Sequence, residues 1–297
     1  MKILVTGAKG MLGRQVVEDL ERGYTEIGRV PEEVKNAEVI GTDSQTLDIT
    51  DKNKTNLFVG EVSPDVIINC AAYTNVDGCE TDGESAYKVN ALGVRNLAMA
   101  AEKVGAKLIH ISTDYVFSGT GNTPKREYDT VRPASVYGKT KYRGEVFARQ
   151  YCKRLFIVRT SWLYGYRGKN FVKTMLWLAK EKGGASVVND QIGNPTNAAD
   201  LSHHLIKLCA SEEYGIYHCT GKGQCSWFEF AREIVRLGGF DPELIQPCTT
   251  GEYAEKFSVP TKRPEYSSLD NMMLRMTVGD EMRPWQLALE SYFKNRK

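Results

Sequence analysis

The feature that most constrains this chain stands at its start. Lys2–Thr6 is a run of mostly apolar and β-branched residues, and it leads directly into Thr6-Gly7-Ala8-Lys9-Gly10-Met11-Leu12-Gly13, with glycines at G-x-x-G-x-x-G spacing. A helical pattern follows from about Met11 to Glu21. Glycine removes the Cβ that would hold a phosphate away from the backbone, and the helix N-terminus behind it offers unpaired N–H groups with partial positive charge. Strand, glycine loop and helix in this order predict the first βα unit of a parallel sheet. They also predict a pyrophosphate cradle made by Gly7, Gly10, Met11, Leu12 and Gly13. The competing reading is a glycine-rich turn that merely joins strand to helix.

Further strands are expected at Glu38–Gly41, Asp65–Asn69, Lys107–Ser112 and Leu155–Arg159, with helical patterns between most of them. The clearest covering helix runs from Glu84 to Val104, with Ala86, Val89, Leu92, Leu97 and Ala100 as its apolar positions. This alternation predicts an α/β fold, a doubly wound parallel sheet covered on both faces, over residues 1–160, with later segments returning to it. After Arg159 the rhythm loosens into a glycine-rich turn at Gly165 and Gly168, a helix through Phe171–Lys180, and loops around Pro195, Pro242, Pro260 and Pro264. Residues 161–297 are therefore expected to form mainly a smaller lobe, and the junction between lobes is where a small molecule would sit.

Composition narrows the partners. Lys plus Arg total 39 against 37 acidic residues, so no global field gathers nucleic acid or an anionic membrane surface. No run approaches the roughly 18 apolar residues of a membrane helix. The apolar start is broken by Gly7, Lys9 and Gly10, which does not read as a signal peptide. Seven scattered cysteines without a C-x-x-C pair read as reduced thiols of a cytoplasmic protein. Cys219 and Cys225 near His218 lack a second close pair to complete a tetrahedral set, so no metal is expected.

The residue that tells NADH from NADPH should follow the second strand. Asp43 is the candidate: a carboxylate there bonds a ribose 2′-hydroxyl and repels a 2′-phosphate, although Arg14 after the last glycine could compensate such a phosphate. Asp43 could equally be a solvated turn residue. Asp48-Ile49 suits the adenine, with Asp48 accepting from its amino group. The alternative is local capping, with Thr50 or Asp51 opening the next helix.

Tyr137 and Lys141 stand four apart, on one face of a helix. A phenol with its ordinary pKa near 10 is a poor acid–base group at neutral pH, and an adjacent ammonium lowers it by favouring phenolate. Lys141 can also bond the nicotinamide ribose. Upstream, Ile109–Phe117 reads as a buried strand that ends in hydroxyls. Thr113 is placed to orient a substrate carbonyl, and Ser112 is the competing choice because a one-residue slip reverses the face.

Together these residues resemble the extended short-chain dehydrogenases, and among them the dTDP-4-dehydrorhamnose reductase family. The resemblance covers nearly the whole chain. It includes Asn69-Cys70-Ala71-Ala72-Tyr73-Thr74-Asn75-Val76-Asp77, Ser112-Thr113-Asp114-Tyr115-Val116-Phe117, Arg159-Thr160-Ser161-Trp162, Asn170-Phe171, Asp190-Gln191, and Arg263-Pro264 with Ser268-Leu269-Asp270. It implies a Rossmann-type domain with a smaller C-terminal lobe, NADPH or NADH as cofactor, and a dTDP-linked 4-keto-6-deoxy sugar as substrate.

The resemblance also assigns roles. It implies Tyr137 as proton donor, Lys141 as its partner and Thr113 as the carbonyl-orienting hydroxyl. Ala71, Ala72 and Thr74 fall against the cofactor, and Asp114 and Trp162 against the sugar. Arg263 is either a substrate phosphate contact or an interlobe salt bridge. Dehydratases of the same group carry Asp-Glu where this chain has Asp114-Tyr115, so a second acid for eliminating water is missing. Some reductases bridge a dimer through a metal held by a glutamate where this chain has Gln15. That metal and that dimer are not carried over, and a homodimer of another kind stays open. An epimerase and a cofactor-binding regulatory subunit remain as alternatives.

Overall fold

Period-two alternation decides which side of the sheet each strand residue covers. The computed structural model describes residues 1–257 and 261–296, so Pro260 lies outside the described residues. The first half contains β1 (Lys2–Thr6), α1 (Met11–Arg22), β2 (Glu38–Thr42), α2 (Lys52–Val62), β3 (Val66–Asn69), α3 (Val76–Thr81), α4 (Gly83–Tyr87), α5 (Val94–Val104), β4 (Lys107–Thr113), α6 (Val136–Tyr151) and β5 (Leu155–Thr160). The second contains β6 (Leu163–Tyr164), α7 (Phe171–Lys182), β7 (Ala185–Val188), β8 (Ile192–Gly193), β9 (Thr196–Asn197), α8 (Ala198–Ala210), β10 (Gly215–His218), β11 (Cys225–Ser226), α9 (Trp227–Leu237), β12 (Ile245–Cys248), α10 (Thr250–Phe257), α11 (Met272–Met276) and α12 (Trp285–Asn295).

Six strands form one parallel sheet in the order β10-β5-β4-β3-β1-β2. Ile3, Val5, Ile68, Ile109, Phe156 and Val158 face one layer, packed with Val16 and Leu20 of α1 and Leu201 and Leu205 of α8. Leu4, Ile67, Leu108 and Ile157 face the other, against Val59 of α2, Val94 and Leu97 of α5 and Ala148 of α6. Both faces are thus dry, as a parallel sheet requires. A third core, with Tyr164, Met175, Phe230, Ile234, Trp285 and Tyr292, fills the smaller lobe. Residues 198–218 return α8 and β10 to the main sheet. Among the described residues no helix is long and apolar enough to cross a membrane.

The helix expected over Glu84–Val104 is not continuous, because a π-helical stretch at Lys88–Gly93 separates α4 from α5. Its cause is tertiary. The buried Asn90 side chain accepts from the Tyr73 N–H (2.9 Å) and donates to the Tyr73 carbonyl (3.0 Å), holding the loop after β3. A register change in the helix aims Asn90 at that loop, at the expense of regular i→i−4 bonding.

Behind β4 and β5 lies a fully buried ion pair. Arg159 grips Glu145 through Nε (2.9 Å) and Nη2 (2.7 Å), and the Ser112 hydroxyl donates to the same carboxylate (2.6 Å). Removing one partner of such a pair strands the other charge in a dry interior. Glu145→Ala is expected to lose roughly 3–5 kcal/mol of stability in urea unfolding, and replacing both residues with apolar side chains of similar volume should lose clearly less.

Candidate active site

The strand order reverses between β1 and β3, so a crevice opens beyond their carboxyl ends. A polar line pins those ends. The Thr6 hydroxyl donates to Asn69 Oδ1 (2.7 Å), and the Ala71 N–H donates to the same oxygen (3.1 Å). Asn69 Nδ2 in turn donates to His110 Nδ1 on β4 (3.1 Å). Gly7 crosses this line at φ 68°, and a Cβ built on it would lie 2.7 Å from the Ala71 nitrogen. Only glycine fits. Helix α1 then starts from Gly10 with no side-chain cap, leaving its first N–H groups to a ligand.

Two cavities meet over Gly10, Cys70, Ala71 and Ala72. One, of about 380 Å³, is bounded by Gly7, Lys9, Asp43, Ser44, Asp48 and Ile49. The other, of about 530 Å³, gathers Met11, Leu12, Gly13, Thr74, Thr113, Asp114, Tyr137, Lys141 and Trp162. Residues far apart in sequence thus line one groove. Arg14 is exposed and lines neither part.

Helix α6 carries Tyr137 and Lys141 into the second cavity. Ser135 caps it by accepting from the Gly138 N–H (3.1 Å), and Gly138 lets the first turn press against the Tyr115 carbonyl, where any Cβ would clash. The Tyr115 and Tyr137 rings meet edge to face at 5.4 Å. Thr113, at the end of β4, donates to Asp114 Oδ1 (3.0 Å) and accepts from the Tyr115 N–H (3.3 Å). The hydroxyl of Ser112, the competing choice, is held by Glu145.

The electrostatics differ from the spacing argument. Lys141 Nζ donates to the Ile111 carbonyl (2.6 Å), and burial lowers its pKa to about 8 against the pull of Glu145. Burial also pushes the Tyr137 hydroxyl well above its ordinary value, opposed by a hydrogen bond with Thr113 and reinforced by Asp114. The expected lowering by the Lys141 ammonium is not seen, and burial keeps the phenol protonated. Burial raises Asp114 to about 6.

Other candidates meet local partners. Asp43 pairs with Lys9 and takes the N–H groups of Gln45 and Thr46, so it is a turn residue and a cavity wall at once. Asp48 accepts from the Thr50 N–H (2.9 Å) and hydroxyl (2.8 Å) while lining the cavity, and Asp51 caps α2. Gln15 is buried and donates to Asp19 (3.0 Å). Arg263 lines neither of these two cavities and pairs with Asp77 (3.0 Å). Trp162 lines the cleft at φ 46°, its ring stacked 3.6 Å from Trp227. Tyr115, expected only as the residue that replaces a second acid, also lines the groove, as do Lys9, Cys70, Lys169 and Trp227, for which the sequence suggests no site role. Lys9 and Cys70 lie inside motifs already quoted and could have been read there, whereas no sequence signal marks Trp227.

Residues 1–297 match the family described as RmlD substrate binding domain. The chain belongs to that family. It is similar to the spore coat polysaccharide biosynthesis protein SpsK of Bacillus subtilis (strain 168), with 40% identity over 99% of this chain and 98% of the relative. Among solved structures, a dTDP-4-dehydrorhamnose reductase from Clostridium acetobutylicum superposes with a TM-score of 0.91 at 49% identity, covering 99% of each chain. The Bacillus anthracis dTDP-4-dehydrorhamnose reductase, solved in complex with NADP, gives 0.90 at 42% identity, again over 99% of each. The six-stranded sheet is accordingly the Rossmann-type sheet of the extended short-chain dehydrogenases.

The low Lys141 pKa has a measurable sign. Between about pH 8 and the unfolded value near 10.5 the unfolded chain still holds the proton that the folded chain has released. Stability contributed by this group therefore rises with pH across that window, and burial penalises it below. Lysine side-chain NMR of the RmlD-family chain should show one resonance titrating near pH 8, and that resonance should vanish in Lys141→Met.

Proposed function

We propose that this chain reduces dTDP-4-dehydro-L-rhamnose to dTDP-L-rhamnose with NADPH or NADH. The observation that carries this reading is the continuity of the groove: the glycine cradle and the Thr113–Tyr137–Lys141 set border one cavity. The relatives' reductase activity supports the same conclusion. The residues fit a dinucleotide, because the glycine loop, closed by Gly7 against the Cys70–Ala71 peptide, borders the groove and the N-terminus of α1 is uncapped. Gly10, Met11, Leu12 and Gly13 would hold its pyrophosphate, Ala71, Ala72 and Thr74 its middle, and Asp43, Asp48 and Ile49 its adenosine end.

When bound, the reduced cofactor supplies a hydride to the sugar's carbonyl carbon. Tyr137 gives its proton to the carbonyl oxygen, which would otherwise become an alkoxide. A phenol kept neutral by burial is in the protonation state that this step needs. Thr113 orients the same oxygen, and Lys141 bonds the nicotinamide ribose once it leaves the Ile111 carbonyl. Asp114 and Trp162 flank the sugar. The nucleotide would extend past Trp227, which also borders an apolar pocket of about 640 Å³ between α7, β7 and α10. Lys256 and Arg263 stand on that pocket's wall, which would place Arg263 beside the substrate diphosphate while it bridges to Asp77.

Steady-state loss of reduced-nicotinamide absorbance with dTDP-4-dehydro-L-rhamnose tests the reading. Consumption should match product one to one, whereas an epimerase would retain the cofactor and a regulatory subunit would bind it without turnover. Tyr137→Phe should bind cofactor as wild type does and lose about 10²- to 10⁴-fold in turnover. Near wild-type turnover in that variant would remove Tyr137 as proton donor.

A further inference from the structure

Two residues of the smaller lobe hold the ring of Trp162. It stacks on Trp227, with centroids 3.6 Å apart and planes 8° apart, and of the four tryptophans no other two are stacked on each other among the described residues. Gly193 comes against the same indole: a Cβ built there would lie 2.4 Å from Cε2, 2.6 Å from Nε1 and 2.7 Å from Cζ2. The backbone of Gly193 is not left-handed, so it is the ring that excludes a side chain at that position.

Both holding residues belong to one small ribbon. Gly193 of β8 is paired with Cys225 of β11, and β11 runs straight into Trp227, the first residue of α9. A capping box fixes that turn: the Glu229 N–H donates to the Ser226 hydroxyl (3.1 Å), and the Ser226 N–H donates to the Glu229 carboxylate (2.7 Å). Phe171 packs against Trp227 at 4.5 Å. Trp162 itself stands just past β5 at φ 46°, a conformation that a bulky residue keeps only where its surroundings over-determine it.

Both tryptophans are half-buried and line the cavity that holds Thr113, Tyr137 and Lys141. The cavity at the adenosine end contains no part of this clamp. Delivering a hydride and a proton to one carbonyl requires the sugar to be placed within about an ångström. A wall already in its final pose also spares the ordering of a large side chain when the sugar arrives.

We propose that Trp227 is a positioning residue: with Gly193 it clamps Trp162 into the pose that seats the keto sugar against Thr113 and Tyr137. It acts on the sugar through Trp162 and leaves the hold on the coenzyme unchanged. The inference rests on the reading of this groove as the site of keto-sugar reduction.

Stacked indoles couple their electronic transitions, so the wild type should give a two-signed near-ultraviolet circular-dichroism band that both Trp227→Leu and Trp162→Phe lose. Steady-state kinetics with dTDP-4-dehydro-L-rhamnose then reads the wall. In Trp227→Leu, kcat/KM should fall about tenfold or more, most of it through KM, because the indole must now be ordered on binding. Gly193→Ala, whose methyl displaces the indole, should lose kcat/KM in the same way. Affinity for the reduced coenzyme, followed by nicotinamide fluorescence without sugar, should stay within about twofold of wild type in both variants. Trp227→Phe keeps a ring for the stack and should recover most of the lost kcat/KM. A Trp227→Leu enzyme that loses the band and keeps wild-type kcat/KM overturns the clamp and leaves the proposed reaction standing. A loss that coenzyme affinity shares in full also overturns it, as does a Trp227→Phe enzyme no better than Trp227→Leu. A wild type that binds coenzyme but turns over no keto sugar sinks the proposed reaction, and the clamp's role with it.

Discussion

The rest of the site depends on one close approach, the passage of Gly7 against the Cys70–Ala71 peptide where the strand order reverses. At φ 68°, with no room for a Cβ, the chain leaves β1, crosses the mouth of β3 and turns at once into α1. The line Thr6–Asn69–His110 ties the ends of β1 and β3 to the middle of β4, Asn69 facing Thr6 on one side and His110 on the other. Strand β4 runs on past His110, and Thr113 at its end emerges into the same crevice that the glycine loop borders. The placement of the glycine loop and of the Thr113 hydroxyl on one groove therefore follows from one backbone geometry.

Burial decides the state of that crevice more than charge pairing does. Tyr137, Asp114 and Lys141 are all pushed toward their neutral forms by loss of water. One helical turn beyond Lys141, however, Glu145 stays paired with Arg159 because the guanidinium satisfies both carboxylate oxygens and Ser112 satisfies one of them again. The same helix thus carries a charge pair locked into structure and a lysine held by one carbonyl. The second arrangement is the one that can exchange partners when a ligand arrives.

What was legible in the sequence follows the range of the interactions involved. The strands β1 to β5 announced themselves through apolar runs, and α1 through its glycines, because these depend on neighbours a few residues away. Tyr137 and Lys141 were readable because one helix places both. Strand β10 was not: Gly215–His218 is four residues long and joins the sheet only by pairing with β5. The π-helical stretch was hidden because its cause, the clasp of Asn90 on Tyr73, lies on another element. Lys9 belongs to the glycine loop and Asp43 is expected as either a ribose contact or a turn residue, and only the fold brings the two together. Trp162 is expected against the sugar from the resemblance, while an aromatic residue is otherwise more often core packing. Stacked on Trp227 and bordering the cleft, it is partly both.

The smaller lobe is not free to choose its angle over the groove. Arg283 bonds Glu26 (2.8 Å), from the loop after α1, and also Asp200 at the start of α8. Tyr166 and Ser291 donate to the same Glu26 carboxylate from the turn before α7 and from α12. Arg167 adds an ion pair to Glu18 of α1 (3.1 Å). Two carboxylates around one guanidinium leave that cluster with an excess acidic charge, which the two hydroxyls help to stabilise. Rotating the lobe would break several charge-assisted bonds at once in a partly dry setting, at greater expense than parting an exposed pair. Trp162 follows β5 just where the chain passes into this lobe, and its left-handed backbone is held there by the stack on Trp227. A fixed lobe angle and a fixed indole together make this wall of the groove a rigid surface. The lining side chains with few tethers are Lys9, which is mostly exposed, and Lys141, which is held by the Ile111 carbonyl.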